Sequence, residues 1–303
     1  MPRKILVATA SLRGDGGPRT IDMNLKAAER LLDRAAAMKP DIVCLPETFP
    51  TIGVTVPKAL EVAEPVPGPT VDRIGALARR HGMYIVCPLL ERRGDRVYNA
   101  GVLIDRQGRV AGVYHKVHPT IGELESGVTP GQRVEVFETD FGRVSVLICF
   151  DVMSPERWRE AKALGAEVLF WPSAYEGGLP LQSRASDHEV YVVSCAPVWG
   201  CHILDITGYP LASTGQRLDI ASARIDLEKR LFSTDYNMSK YHAILAKYGQ
   251  RVSFGVLSPE GSFTLESHDP AVTVADLVGE FGLETQQDYF ARSARAQEAA
   301  RPD

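Results

Sequence analysis

The chain has 303 residues, 45% hydrophobic and 24% charged, which supplies apolar surface for a sizeable core and excludes a wholly disordered polymer. Its 26 glycines and 20 prolines are too few for a collagen-like or linker-dominated architecture. With 34 Lys+Arg against 38 Asp+Glu, a net charge of −4, no cationic footprint marks nucleic acid or an anionic membrane as a partner, and a small-molecule protein is expected. Five cysteines, Cys44, Cys87, Cys149, Cys195 and Cys201, are odd in number and scattered, and most lie in apolar runs, which argues against a disulfide framework and for a reducing compartment.

Ile5 to Ala8, behind a basic start, reads better as a first buried strand than as a signal peptide, and it runs into a Gly-rich loop, Gly14 to Pro18. Ala28, Leu31, Leu32 and Ala35 follow helical spacing within Met23 to Met38. Asp41 to Leu45 is a second short strand, Thr70 to Arg80 a second helix with Gly82 as its C-cap, and Met83 to Leu90 a third strand. The rhythm then changes to hairpins: Val97 to Ile104, Val110 to Tyr114 and Val134 to Phe137, separated by turns such as Arg106-Gln-Gly-Arg109. Arg143 to Ile148 is an apolar strand, Pro155 to Leu164 a helix, and Val168 to Trp171 a strand. Ser183 to Glu189 is helical, Val190 to Ser194 is a strand, and Cys201 to Asp205 pairs with Tyr209 to Ala212. Ala223 to Leu227 ends the regular pattern. The alternation predicts a layered α/β sheet with parallel and antiparallel parts. After residue 228 periodicity weakens. Met238 to Lys247 reads as one helix, and the segment as a whole as too polar and irregular for a second core. No run approaches the ~18 apolar residues of a membrane span, so a soluble, cytoplasmic protein is expected.

Glu47, Lys116 and Cys149 each stand just past, or at the end of, a predicted strand, where open α/β sheets place their ligands. Singly, each has an ordinary explanation: a loop carboxylate near a helix start, a solvated lysine between His115 and His118, a small buried thiol. Together they make a mechanism. A cysteine attacks as thiolate, a nearby carboxylate can take its proton, and an ammonium can stabilise the oxyanion that forms on an amide or nitrile carbon. A papain-like dyad of Cys149 with His115 or His118 is the competing nucleophile arrangement, and Cys195, Cys201, His202 and His188 match no standard zinc spacing. A non-catalytic binding protein on the same fold is the alternative outside enzymes. No phosphate loop, acidic metal cluster or flavin signature is present, so no cofactor is expected.

Leu45-Pro-Glu-Thr-Phe49, Tyr114-His-Lys-Val-His-Pro119 and Leu147-Ile-Cys-Phe-Asp151 resemble, in order, the three signature blocks of the nitrilase, or carbon-nitrogen hydrolase, superfamily. Thr139 to Arg143, Trp171 to Ala174 and Asp205 to Gly208 add to a resemblance that covers residues 4 to 228. It implies a four-layer αββα sandwich over 1–228; the extension over 229–303, too polar and irregular for a second core, is expected to make oligomer contacts or cover the pocket. It also implies Glu47 as general base, Lys116 as stabiliser of the tetrahedral intermediate, Cys149 as nucleophile, the backbone N–H of Phe150 as an oxyanion donor, and homodimers or higher oligomers. A second glutamate is usual between the lysine and cysteine blocks. Glu123 is favoured because it follows Gly122, with Glu125 close behind. The implied activity is amide or carbamoyl hydrolysis with release of ammonia, with nitrile hydrolysis as the nearest alternative. Asp151-Val-Met-Ser154 lacks the arginines with which some branches clamp a substrate carboxylate, which favours an uncharged or cationic substrate. Trp171, Tyr175 and, less so, Trp199 are candidate pocket walls.

Overall fold

The computed structural model describes residues 3–13, 17–55, 58–198 and 200–302, with backbone alone at 256–258. Trp199 and most of the expected Gly14 to Pro18 loop lie outside these. The chain divides into two compact units, Ile5–Ile225 and a second formed by Asp226–Asp303 with the first residues of the chain.

The larger unit begins with β1 (Lys4–Ala10), α1 (Ile21–Ala36), β2 (Ile42–Cys44), α2 (Pro69–His81), β3 (Tyr84–Arg93), β4 (Arg96–Ile104) and β5 (Val110–His115). It continues with a one-turn helix, α3 (Ile121–Glu125), then β6 (Val136–Glu138), β7 (Arg143–Val146), α4 (Pro155–Ala163), β8 (Val168–Pro172), α5 (Gly178–His188), β9 (Tyr191–Cys195), β10 (His202–Leu204), β11 (Pro210–Ser213) and β12 (Ile220–Asp226). The expected alternation is present, with Gly82 in the left-handed conformation at the end of α2. Two differences are larger than an end effect: α5 starts five residues before the predicted Ser183, and α3 was not anticipated.

Two six-stranded sheets result, ordered β12-β1-β2-β3-β4-β5 and β11-β10-β9-β8-β7-β6. In the first, β1, β2 and β3 are parallel and β4 and β5 continue antiparallel. In the second, β7, β8 and β9 are parallel, with β6 and β10 antiparallel at either side. Helices α1 and α2 bury Leu25, Leu32, Ile74 and Leu77 in one cluster with Ala8, Val43, Ile85 and Val102 of the first sheet. Helices α4 and α5 are the crossovers of the second sheet, and bury Trp158, Ala161, Leu181 and Ala185.

The sheets meet face to face as the inner layers of the αββα sandwich. Thr9 Oγ1 in β1 donates to the Ser194 carbonyl in β9 at 2.7 Å. Glycines allow the close approach: a Cβ on Gly101 would stand 2.6 Å from Val146, and one on Gly112 2.2 Å from the Phe137 ring.

The second unit corrects the expectation of a coreless extension. It contains β13 (Arg230–Ser233), α6 (Tyr241–Tyr248), β14 (Val252–Leu257), β15 (Ser262–Ser267), α7 (Val274–Phe281) and α8 (Gln286–Ala299), with strand order β13-β15-β14. Phe232, Ile244, Phe263, Leu265, Val274 and Leu277 form its own buried cluster, and the Phe232 and Phe263 rings stack at 5.3 Å. Short strands with interleaved polar residues hid this core from a periodicity reading. Phe263→Ala should destabilise this unit by about 3–5 kcal/mol, read as a lowered urea midpoint. An unchanged midpoint would mean that the cluster contributes no stability.

Candidate active site

Strands β2 and β5 run in the same direction in one sheet, so the segments leaving their carboxyl ends, which carry Glu47 and Lys116, emerge at the same end of the sandwich. Cys149 follows β7 of the other sheet. The three line one cavity of about 410 Å³, together with Asn99, Glu123 and the neutral side chains of Thr48, Thr51, Val54, Ala59, Leu90, Thr120, Ser126, Val128 and Ala174.

Lys116 is 1% exposed. Its Nζ donates to Glu47 Oε1 at 2.8 Å and to Glu123 Oε2 at 2.7 Å. Burial opposes the ammonium charge, but Glu47, Cys149 and Glu123 outweigh it and hold the lysine well above its ordinary pKa. Asn99 Nδ2 closes the cluster by donating to Glu47 Oε1 at 2.8 Å and Glu123 Oε1 at 2.7 Å. Glu123 also caps its own helix: its Oε2 accepts from the Thr120 N–H at 2.7 Å and the Thr120 hydroxyl at 3.0 Å. Burial would raise the Glu123 pKa, yet Lys116, Asn99 and Thr120 lower it. Glu125, the other candidate, is exposed on the last turn of α3 and lies off the cavity lining. The Thr-x-x-Glu capping pattern at Thr120 to Glu123 is the sequence signal that separates the two.

The segment at Cys149 is a sharp elbow. Cys149 has φ +45°, a left-handed conformation uncommon outside glycine, and opens a short 3-10 helix, Cys149–Met153. Asp151, fully buried, accepts from the Ile148 N–H and the Tyr114 hydroxyl, both at 2.8 Å, and from the His118 N–H at 3.0 Å. The same carboxylate therefore fixes the cysteine elbow and the segment carrying Lys116. Trp171 does not form a pocket wall as expected. It is fully buried, and its indole Nε1 donates to the Cys149 carbonyl at 3.0 Å, so its bulk went into the core and its one donor into the elbow. Tyr175 lies edge-on to Trp171 at 5.4 Å, outside the lining, and burial followed by the charges at Cys149 and Glu47 pushes its phenol up.

Both histidines of the dyad reading are engaged elsewhere. His115 Nε2 lies 2.5 Å from Glu91 Oε2, His118 Nδ1 lies 3.2 Å from Asp151 Oδ1, and neither lines the cavity. Arg157 pairs with Glu160 at 2.7 Å and also stays off the lining. All five cysteines are free thiols. Among the described residues no group of three or more His, Cys, Asp or Glu is arranged to hold a metal, and no helix is long and apolar enough to cross a membrane.

The profile of the family described as "Carbon-nitrogen hydrolase" matches residues 7–230. The chain belongs to the carbon-nitrogen hydrolases of the nitrilase superfamily, and is an enzyme of that class. Omega-amidase NIT3 of Saccharomyces cerevisiae is 27% identical over 261 residues, covering 75% of this chain and 89% of the relative. A deaminated glutathione amidase of Synechocystis is 31% identical over 239 residues, 68% of this chain and 87% of the relative. Among solved structures, Saccharomyces cerevisiae Nit3 aligns with TM-score 0.65 and 25% identity over 82% of this chain and 97% of its own. A carbon-nitrogen hydrolase from Helicobacter pylori G27 aligns with TM-score 0.67 and 21% identity over 75% and 90%, a likeness of fold.

Two measurements follow from the electrostatics. Burial first, and then the Glu47 charge, push the Cys149 thiol up to about 11, so only about 10⁻⁴ of it is thiolate at pH 7. Alkylation of Cys149 by iodoacetamide should rise with pH along a titration near that value; a midpoint near the ordinary 8.5 would contradict the buried setting. The Glu123 pKa is lower in the folded state, so its contribution to stability is complete above about pH 4.3 and lost as pH falls through the depressed value. Glu123→Gln should therefore remove that part of the acid-unfolding slope, as followed by circular dichroism against pH.

Proposed function

We propose that this enzyme hydrolyses the C–N bond of a small, uncharged amide or carbamoyl compound through a thioester on Cys149. The observation that carries the reading is the buried ammonium of Lys116, 2.8 Å from Glu47 and 2.7 Å from Glu123, in a cavity that Cys149 also lines. Both ordered donors of Glu47, Lys116 and Asn99, converge on Oε1. Its Oε2 accepts no hydrogen bond from the described residues and stays available as a base. Every oxygen of Glu123 is occupied by donors, which suits a fixed charge and not a proton carrier.

Glu47 takes the Cys149 proton while Sγ attacks the carbonyl carbon. Because the free thiol is protonated at neutral pH, transfer and attack belong to one event. The carbonyl π electrons move to oxygen, where Lys116 and the N–H of Phe150 stabilise the oxyanion. Phe150 lies at the start of the short helix, where N–H groups lack an intrahelical acceptor. Collapse breaks the C–N bond, Glu47 returns the proton to nitrogen, ammonia leaves and a thioester remains. Glu47 then deprotonates a water that attacks the thioester, and the carboxylic acid leaves with the thiol restored.

Among the described residues, the lining's charged members are two carboxylates and one ammonium, a local net of −1. The remaining walls, among them Thr51, Val54, Leu90 and Val128, are neutral, which supports an uncharged acyl group over one bearing a carboxylate. The amidase names of the relatives support amide over nitrile as substrate.

An ammonia-release panel tests this. Small aliphatic amides should exceed acidic amides of equal length by at least about tenfold in kcat/KM, and nitriles should turn over poorly. Glu47→Gln and Cys149→Ala should each lose at least about 10³-fold in kcat, with the acyl adduct absent from the intact mass of Cys149→Ala. Turnover of nitriles alone would favour the nitrilase reading, and no adduct with any amide or nitrile the binding-protein reading.

A further inference from the structure

Asn99 is a polar residue in the apolar strand β4, 2% exposed, and its backbone carbonyl accepts from the Lys116 N–H at 2.9 Å. Its side chain is used asymmetrically. The Nδ2 group donates to both carboxylates that flank Lys116, while Oδ1 is buried with no hydrogen-bond partner. A buried carbonyl without a donor is unfavourable, and leucine would fill a similar volume without it. Packing therefore does not account for an amide here, whereas two donors aimed at two carboxylates do. The two hydrogen bonds also set the amide's orientation, since an acceptor in place of Nδ2 would face both anions.

We infer that Asn99 is a positioning residue of this site: its amide bridges Glu47 and Glu123 into one fixed pair and, with Lys116, occupies Glu47 Oε1, so that Oε2 is the oxygen that exchanges protons with Cys149, water and the leaving nitrogen. This assignment rests on the catalytic reading above. Losing the bridge frees the Glu47 carboxylate to rotate and removes one of its two charge-stabilising donors. Both consequences fall on kcat, because Asn99 works through Glu47 and Glu123.

The test compares Asn99→Leu, which keeps the volume, and Asn99→Ser, which keeps one shorter donor, with the native enzyme and Glu47→Gln on the best amide of the panel. Asn99→Leu should lower kcat by at least about 30-fold with KM within about threefold, and Asn99→Ser should fall between it and the native enzyme. A carboxylate that loses a donor has a higher pKa, so the acid limb of kcat/KM should move to higher pH by about half a unit or more in Asn99→Leu. A kcat within threefold of native, or a fall in kcat with the acid limb unmoved, would overturn the role. If Glu47→Gln is itself active, the catalytic reading falls; if Glu47→Gln is inactive while Asn99→Leu is not, only the assignment of Asn99 falls.

Discussion

A charged lysine held between two carboxylates inside the protein governs the rest of this site. Removing an ammonium from water is unfavourable by several kcal/mol even after relaxation, and only close, well-satisfied counter-charges offset it. Lys116 meets that requirement with two hydrogen bonds of 2.7–2.8 Å. The carboxylates are buried in turn and need their own donors, which Asn99 and Thr120 provide. Truncating Lys116 would leave two buried carboxylates without their counter-charge, a loss that typically destabilises by about 3–5 kcal/mol. The network therefore keeps Lys116 charged and still, as its proposed role at an oxyanion requires.

Within that network the count of donors distinguishes two glutamates of identical chemistry. Glu123 receives Lys116, Asn99, the Thr120 amide and the Thr120 hydroxyl, and burial does not prevent its pKa from falling. From the described residues Glu47 receives two, both on one oxygen. Their difference follows from local backbone: Glu123 sits at the third position of a capped helix, where its carboxylate turns back onto the N-cap, while Glu47 precedes Thr48 in a left-handed conformation, φ +40°.

The second organising element is Asp151. It joins β5's exit segment to the Cys149 elbow by accepting from Tyr114, Ile148 and His118. Burial raises the Tyr114 phenol, and the neighbouring Asp151 charge adds to it, so this phenol stays a donor. A cysteine in a left-handed conformation is costly, by about 1–3 kcal/mol, and persists because the surrounding hydrogen bonds over-determine it. Lys116 and Cys149 follow strands of different sheets, and the Asp151 carboxylate ties their segments together.

Apart from the one-turn α3, the order of strands and helices to residue 228, the hairpins, the free cysteines and the three blocks around Glu47, Lys116 and Cys149 were legible in the sequence, because apolar periodicity and local motifs depend on residues close in the chain. Asn99 carried no signal in the sequence, and Asp151 only its place at the end of the third block. Their meaning depends on β4 lying between β3 and β5, and on two sheets meeting face to face. The same holds for Trp171, whose size suited a pocket wall as well as a core, and for the small core around Phe232 and Phe263, assembled from strands too short to show a period. The capping pattern favoured Glu123 over Glu125, but only the tertiary structure brought it to Lys116: side chains two residues apart on a helix point about 200° apart, and one direction alone meets a lysine arriving from another strand.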